Sequence, residues 1–190
     1  MQNIQPSKVG RRGLLLSVPL IAAAAVAAAA APMMAPMAVP APSTRARDAS
    51  FLVNGRTVYL HAYWGRPIML WEVATWCPSC RAGLQTLARK QSLIDQSNLA
   101  VIVLRDWNNG GYPGPSMAEF VEKAAPKLLH DPHVIIGEDT EAVYKLYDPH
   151  HFVDVYYLIR PDGRLALTAS APAATFDKIA TFIGARAAGR

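Results

Sequence analysis

The run Ile68-Met69-Leu70-Trp71-Glu72-Val73-Ala74, introduced by Pro67 and followed by Thr75-Trp76-Cys77-Pro78-Ser79-Cys80, constrains the fold more than any other feature of the chain. Five of its seven residues are Ile, Met, Leu, Trp or Val, and they do not alternate with polar residues. A strand with one wet face alternates, so this pattern predicts a central strand buried on both faces. From Pro78 to about Gln96 the period changes. Leu84, Leu87, Ala88 and Leu93-Ile94 recur at helical spacing.

The same alternation of elements continues. Phe51–Val53 and Thr57–His61 flank Asn54-Gly55, a hairpin signal. Ala100–Leu104 reads as a second buried strand. Ser116 with Glu119 three residues later forms a capping box ahead of Met117, Phe120, Val121 and Ala124. Val134–Ile136 reads as a strand, Thr140–Tyr147 as a short helix, and Val153–Ile159 as a strand. Pro161-Asp162-Gly163 turns the chain into an antiparallel partner, Arg164–Thr168. Thr175 to about Ala187 closes the chain as a helix with Phe176, Ile179, Ala180 and Ile183 inward. The expected class is an α/β sandwich with a mixed sheet.

The first fifty residues read as an address. Lys8, Arg11 and Arg12 precede an uncharged, Ala-rich run, residues 13–31, in the order of an export signal. The run is also close to the ~20 residues of a membrane-spanning helix, so 1–31 is an export signal or a membrane anchor. Arg11-Arg12-Gly13-Leu14-Leu15 resembles a twin-arginine signal without the usual preceding polar residue. Residues 32–50, with Pro32, Pro36, Pro40 and Pro42 among Ala and Met, read as a linker. Met33, Met34 and Met37 are soft donors suited to copper(I), or plain apolar filler. Residues 51–190 form the domain, on the extracytoplasmic side of the membrane. The charge agrees. Residues 1–50 hold five bases against one acid, whereas fourteen bases and thirteen acids nearly cancel in the rest. That excludes a basic nucleic-acid-binding face on the domain.

Cys77 and Cys80 are the only cysteines. Two cysteines exclude both a disulfide-stapled mini-domain and a four-cysteine zinc site. A pair at i and i+3 can close a disulfide across the first turn of a helix. The helix N-terminus favours a thiolate at Cys77, the outer residue, which makes it the attacking sulfur. Cys80, one turn deeper, resolves the mixed disulfide. Pro78 is tolerated because its missing N–H has no helical partner at that position anyway. The redox-active disulfide itself serves as the redox group, and no cofactor is expected.

The stretch Gly65-Arg66-Pro67 through Ala74-Thr75-Trp76-Cys77-Pro78-Ser79-Cys80-Arg81-Ala82 resembles the active-site strand and helix of the TlpA-like branch of the thioredoxin superfamily. Tyr157-Leu158-Ile159-Arg160-Pro161-Asp162-Gly163-Arg164 resembles the family's strand and turn before the final hairpin, and the segment at Val134–Ile136 fits the insertion of that branch. The resemblance spans about 51–188. It implies a thioredoxin-like three-layer sandwich and a protein-disulfide oxidoreductase. Its partners would be disulfides or dithiols of exported proteins and a membrane protein that donates or accepts electrons. Pro78-Ser79 carries no cation, which favours a reductant over a strong oxidant.

Three positions depart from the family pattern. Asp154 stands where the family carries a cis-proline facing the cysteines. An anionic carboxylate there should raise the Cys77 pKa and slow attack. Trp71 occupies the place of a buried acid in thioredoxins proper. Gly83 occupies a place where cytochrome-maturation members often carry glutamate.

Other residues remain candidates. Glu72, an acid inside a buried run, is either a proton acceptor for Cys80 or a partnered structural group, and alternation turns it to the face opposite Trp71. His150, His151 and Asp154 fall in the segment approaching the cysteines. Two thiolates, Cys77 and Cys80, with an imidazole of His150 or His151 or a carboxylate would suit copper or zinc delivery, the alternative function; otherwise the histidines are loop residues. His61, His130 and His133 lack ligand spacing. Trp107 and Tyr112, in the loop Asp106–Pro115 after a parallel strand, and Trp76 can form an apolar lip for a partner polypeptide.

Overall fold

The computed structural model describes residues 44–184. The expected signal or anchor, residues 1–31, Met33, Met34, Met37 and most of the 32–50 segment lie outside the described residues. Among the described residues no helix is long and apolar enough to cross a membrane.

The unbroken apolar run becomes β3 (Ile68–Val73), with all six residues buried. It lies between β4 (Ala100–Arg105), parallel to it, and β6 (Val155–Ile159), antiparallel. β5 (Val134–Glu138) runs parallel to β4, and β1 (Ser50–Val53) and β2 (Arg56–Tyr59) extend that edge as a hairpin. β7 (Leu165–Ser170) closes the other edge. The order is β2-β1-β5-β4-β3-β6-β7. This is the expected mixed sheet.

Alternation along β3 sorts the core into two layers. Met69, Trp71 and Val73 point to one face, packed with Leu84 and Leu87 of α1 (Pro78–Arg89), Phe120 and Val121 of α3 (Met117–Ala124), and Ile179 and Ile183 of α5 (Phe176–Gly184). Ile68 and Leu70 point the other way, against Leu60, Phe51, and Val143 and Tyr147 of α4 (Glu141–Tyr147). Each fully buried aliphatic side chain contributes ~1.5–3 kcal/mol. The result is a three-layer α/β/α sandwich.

Some boundaries differ from expectation. The long helix after Cys77 breaks at Lys90, whose N–H is shared between the Thr86 and Leu87 carbonyls, and resumes as α2 (Gln91–Ser97). The break brings Ile94 into the core and leaves Leu93 exposed. The second hairpin strand ends at Tyr59 and continues as a 3-10 turn, Leu60–Tyr63. The end of the proline-rich segment is tied to the domain. Leu165 N–H donates to Thr44 O, Ala46 N–H donates to Gly163 O, and Ala46 and Ala49 are buried. The capping box forms at α3: Ser116 Oγ accepts from Glu119 N–H, and Glu119 accepts from Ser116 N–H.

Candidate active site

Strand β3 ends at Val73, and the chain turns through Thr75 and Trp76 into α1. Cys77 is the N-cap of that helix and Pro78 occupies its first turn. The cap is made by sulfur: Cys77 Sγ accepts the Cys80 N–H at 3.2 Å, and Ser79 Oγ lies 3.1 Å from it. Cys80 is fully buried beneath. The hydrogen bond from the Cys80 thiol lowers the Cys77 pKa to about 6, with help from Ser79 and the Cys80 backbone N–H. Burial and the Asp154 charge oppose this. The expected effect of Asp154 on Cys77 is therefore present but outweighed. The Cys80 pKa moves up, driven by its hydrogen bond to Cys77, then by burial and Asp154. The two thiols are thus differentiated, a ready nucleophile outside and a protonated thiol inside.

Asp154 joins them. One of its carboxylate oxygens and the two sulfurs lie within 4.8 Å of one another. Trp71 Nε1 donates to Asp154 Oδ1 at 3.1 Å, and Asp154 N–H donates to Glu72 O at 2.8 Å. Burial raises the Asp154 pKa, and hydrogen bonds with Ser79, Trp71 and Cys80 partly offset it. The indole that reaches Asp154 lies over Gly83, where a Cβ would stand 2.5 Å from Trp71 Cη2. The three departures from the family pattern are therefore one arrangement. Gly83 leaves room for the Trp71 ring, and the ring delivers a donor to Asp154.

The loop after β4 secures the approach to the cysteines. Asn109, buried and left-handed (φ 54°), accepts from Thr75 N–H at 2.8 Å and donates to Tyr112 O. Its carbonyl accepts Trp76 Nε1–H at 2.7 Å. Gly114 is required beside it, since a Cβ there would meet Thr75 Oγ1 at 2.4 Å. Trp76 and Tyr112 meet edge-to-face at 5.2 Å, and both remain exposed, as does Trp107. Sequence reasoning placed these aromatics but missed Asn109 as their anchor. It also missed Phe152, 72% exposed and two residues from Asp154.

Two sets of candidates are corrected. His150 and His151 do not join the cysteines; the group that could hold a soft metal is Cys77, Cys80 and Asp154. His151 pairs with Asp106 (Nδ1–Oδ2 2.5 Å) and stacks on Tyr144, and His150 packs beside Phe152. The chain is diverted by left-handed backbone at His151, Val153 and Asp154 (φ 51°, 22° and 62°). Such conformations cost ~1–3 kcal/mol each for non-glycine residues. The Asp148 carboxylate holds the turn by accepting from Phe152 and Val153 N–H. Glu72 is not a neighbour of Cys80. It faces the opposite layer, grouped with Asp106 and Asp139. Burial first, then repulsion from Asp139, Asp106 and Asp148, pushes its pKa well above the ordinary range. The acid beside the cysteines is Asp154. The other histidines are engaged elsewhere or lie at a turn: His61 with Asp48, His133 with Arg66, and His130 in the last turn of the 3-10 segment Pro126–His130.

No family model matches the sequence, and no curated protein sequence matches it. Solved structures do. A thioredoxin-like protein from Aeropyrum pernix superposes with TM-score 0.57 at 20% identity, over 73% of this chain and 89% of that one. A putative thiol:disulfide interchange protein DsbE from Chlorobium tepidum gives 0.56 at 18% identity, over 75% and 97%. A secreted Mycobacterium tuberculosis disulfide oxidoreductase homologous to E. coli DsbE gives 0.53 at 18%, over 72% and 95%. The chain has the thioredoxin-like fold, and its cysteine pair caps the helix that follows the central strand.

Proposed function

We propose that the protein is an extracytoplasmic thiol–disulfide oxidoreductase that reduces disulfides of exported proteins. The observation that carries this reading is the pair of opposed thiols, Cys77 capping α1 with a pKa near 6 and Cys80 buried behind it with its pKa raised. The extracytoplasmic placement rests on the basic-then-apolar order of residues 1–31 and on the DsbE-like structures of the same fold.

The Cys77 thiolate attacks one sulfur of a partner disulfide. A Cys77–partner S–S bond forms, the partner's S–S bond breaks, and its second sulfur leaves as a thiolate that takes a proton from solvent. Asp154 then accepts the Cys80 proton. Burial raises its pKa, which makes it a better proton acceptor than an exposed carboxylate. The Cys80 thiolate attacks Cys77 Sγ, closing the Cys77–Cys80 disulfide and releasing the partner's first sulfur as a thiolate. Two electrons have passed to the partner, and a membrane dithiol protein restores them. Trp76 and Tyr112 offer the apolar lip on which an extended partner segment docks, and Trp107 and Phe152 extend the exposed aromatic surface.

A Cys80→Ser variant tests the reading. It should accumulate a disulfide-linked adduct with a disulfide-bearing polypeptide, released by reductant. Copper or zinc delivery is the second reading, favoured by the proximity of Cys77, Cys80 and Asp154. Absence of any adduct, with one soft metal bound per wild-type chain, would replace the redox proposal with it.

A further inference from the structure

On the opposite face of the sheet from the cysteines, three parallel strands each bring an acid to the same edge. Glu72 is in β3. Asp106 directly follows β4, with its N–H on Val73 O, and Asp139 directly follows β5, with its N–H on Arg105 O. Because Leu104 pairs with Gly137 and Arg105 with Glu138, Asp106 and Asp139 come next in the same register. Glu72 and Leu104 are register partners one strand over. A ligand oxygen from each of the three acids lies within 4.8 Å of the other two. The three residues are 0%, 1% and 5% exposed.

Their hydrogen bonding is divided in a particular way. Asp106 uses Oδ2 on His151, and Asp139 uses Oδ1 on the Thr140 N–H. Asp106 Oδ1, Asp139 Oδ2 and both oxygens of Glu72 are buried with no protein partner. Four carboxylate oxygens are thus without a hydrogen bond of ordinary geometry, although the backbone N–H groups of Trp107 and Gly110 approach Asp106 and that of Trp107 approaches Asp139. The charged groups around them are His151, which pairs with Asp106, a further acid, Asp148, which is engaged with the backbone of Phe152 and Val153, and Arg105, which pairs with Glu138. Buried carboxylates without partners are costly.

We propose that Glu72, Asp106 and Asp139 form a binding site for a divalent cation, of the calcium class, distinct from the thiol centre. The donor set is all oxygen, which selects hard cations over copper or zinc. Two ligand oxygens on one calcium ion stand up to ~4.6–5.2 Å apart, at ~2.3–2.6 Å per bond, a spacing compatible with the separations of at most 4.8 Å among the three acids. Both oxygens of Glu72 and one oxygen of each aspartate are without a hydrogen-bond partner and are the atoms offered to the ion. His151 orients Asp106 from behind, as an outer partner of a metal ligand does. It is the partly exposed member of the group and marks the way in. The bound ion joins the ends of β3, β4 and β5 and, through Glu72 O, steadies the backbone of Asp154.

The test is calcium titration of the full chain in its disulfide form, followed by calorimetry and thermal unfolding. Manganese serves as the paramagnetic probe. One calcium per chain is expected, with the melting temperature raised by about 5–10 °C at a hundredfold excess over Kd. Both effects should vanish in Glu72→Gln and in Asp139→Asn. Manganese should broaden the His151 ring resonances most and those of His133, at the far end of β5, least. Wild-type protein that neither binds nor is stabilised by calcium or manganese overturns the proposal. So does equal binding by both variants. Should the variants fail to fold, the wild-type broadening pattern decides: broadening centred away from His151 overturns the site.

Discussion

Alanine in place of Gly83 should destabilise this protein, although in an exposed helix interior the same change stabilises by ~1 kcal/mol. Gly83 lies within α1 and its backbone is not left-handed, so alanine meets no strain of its own. The obstacle is the Trp71 ring, whose Cη2 and Cζ2 would stand 2.5 and 2.7 Å from the new Cβ. Carbon atoms pack at ~3.5–4.0 Å, so a fully buried indole must retreat by about 1 Å. Overpacking of this kind costs ~1–3 kcal/mol, and the retreat also strains the bond from Trp71 Nε1 to Asp154. After the helix-propensity gain, the net loss is about 1 kcal/mol, and more to the extent that the Trp71–Asp154 bond is weakened. With a urea slope of ~1–3 kcal/mol/M, the unfolding midpoint should fall by about 0.5 M. Phenylalanine lacks both offending atoms. In a Trp71→Phe background the glycine-to-alanine change should therefore be neutral or stabilising, a coupling inside the ~0.5–3 kcal/mol range for touching residues. An unchanged or higher midpoint for Gly83→Ala in the wild-type background would mean that the Trp71 ring gives way to the new Cβ without cost.

Alkylation of Cys77 should follow a single ionisation near pH 6 and slow below it; a midpoint near 9 would remove the capped thiolate. Because its folded pKa is depressed, Cys77 should stabilise the dithiol form at and above pH 9 and lose that contribution as pH falls through about 6, seen by comparing unfolding of reduced and oxidised protein. Asp154→Asn should leave the first attack as fast or faster, since a charge that raises the Cys77 pKa is gone. It should slow resolution by Cys80 by roughly 10²-fold or more, the usual worth of a general base, measured as a longer-lived mixed disulfide by stopped-flow quench. Asn109→Ala should cost ~1–3 kcal/mol by leaving the Thr75 N–H buried without its acceptor, read in urea unfolding.

What was legible in the sequence was whatever depends on near neighbours. The run Ile68–Val73 reads as a doubly buried strand because its own composition sets its burial. The Ser116 capping box and the placement of Cys77 at the N-terminal end of its helix follow from spacings of three. Alternation correctly turned Glu72 away from Trp71. What was hidden depends on chain segments that meet only after folding. Trp71 and Asp154 are 83 residues apart, Asp106 and His151 are 45 apart, and Thr75 and Asn109 are 34 apart. Each of the three family departures weakened the reading when taken alone, because the contact joining Trp71 to Gly83 and Asp154 has no local signature. His150 and His151 were drawn toward the cysteines because nothing in the sequence announces left-handed backbone at a valine and an aspartate.

Cys77 and Cys80 are expected to form a reversible two-electron couple, read directly as a reduction potential on purified full-length protein with bound metal counted on the reduced form. The expected result is a thiol–disulfide couple between about −270 and −120 mV. It should lie nearer the reducing end, since a Cys77 pKa near 6 stands closer to the ~7 of thioredoxin than to the ~3.5 of a strong oxidant. A pair that does not equilibrate with glutathione or dithiothreitol, and instead retains one copper or zinc per chain, would contradict it.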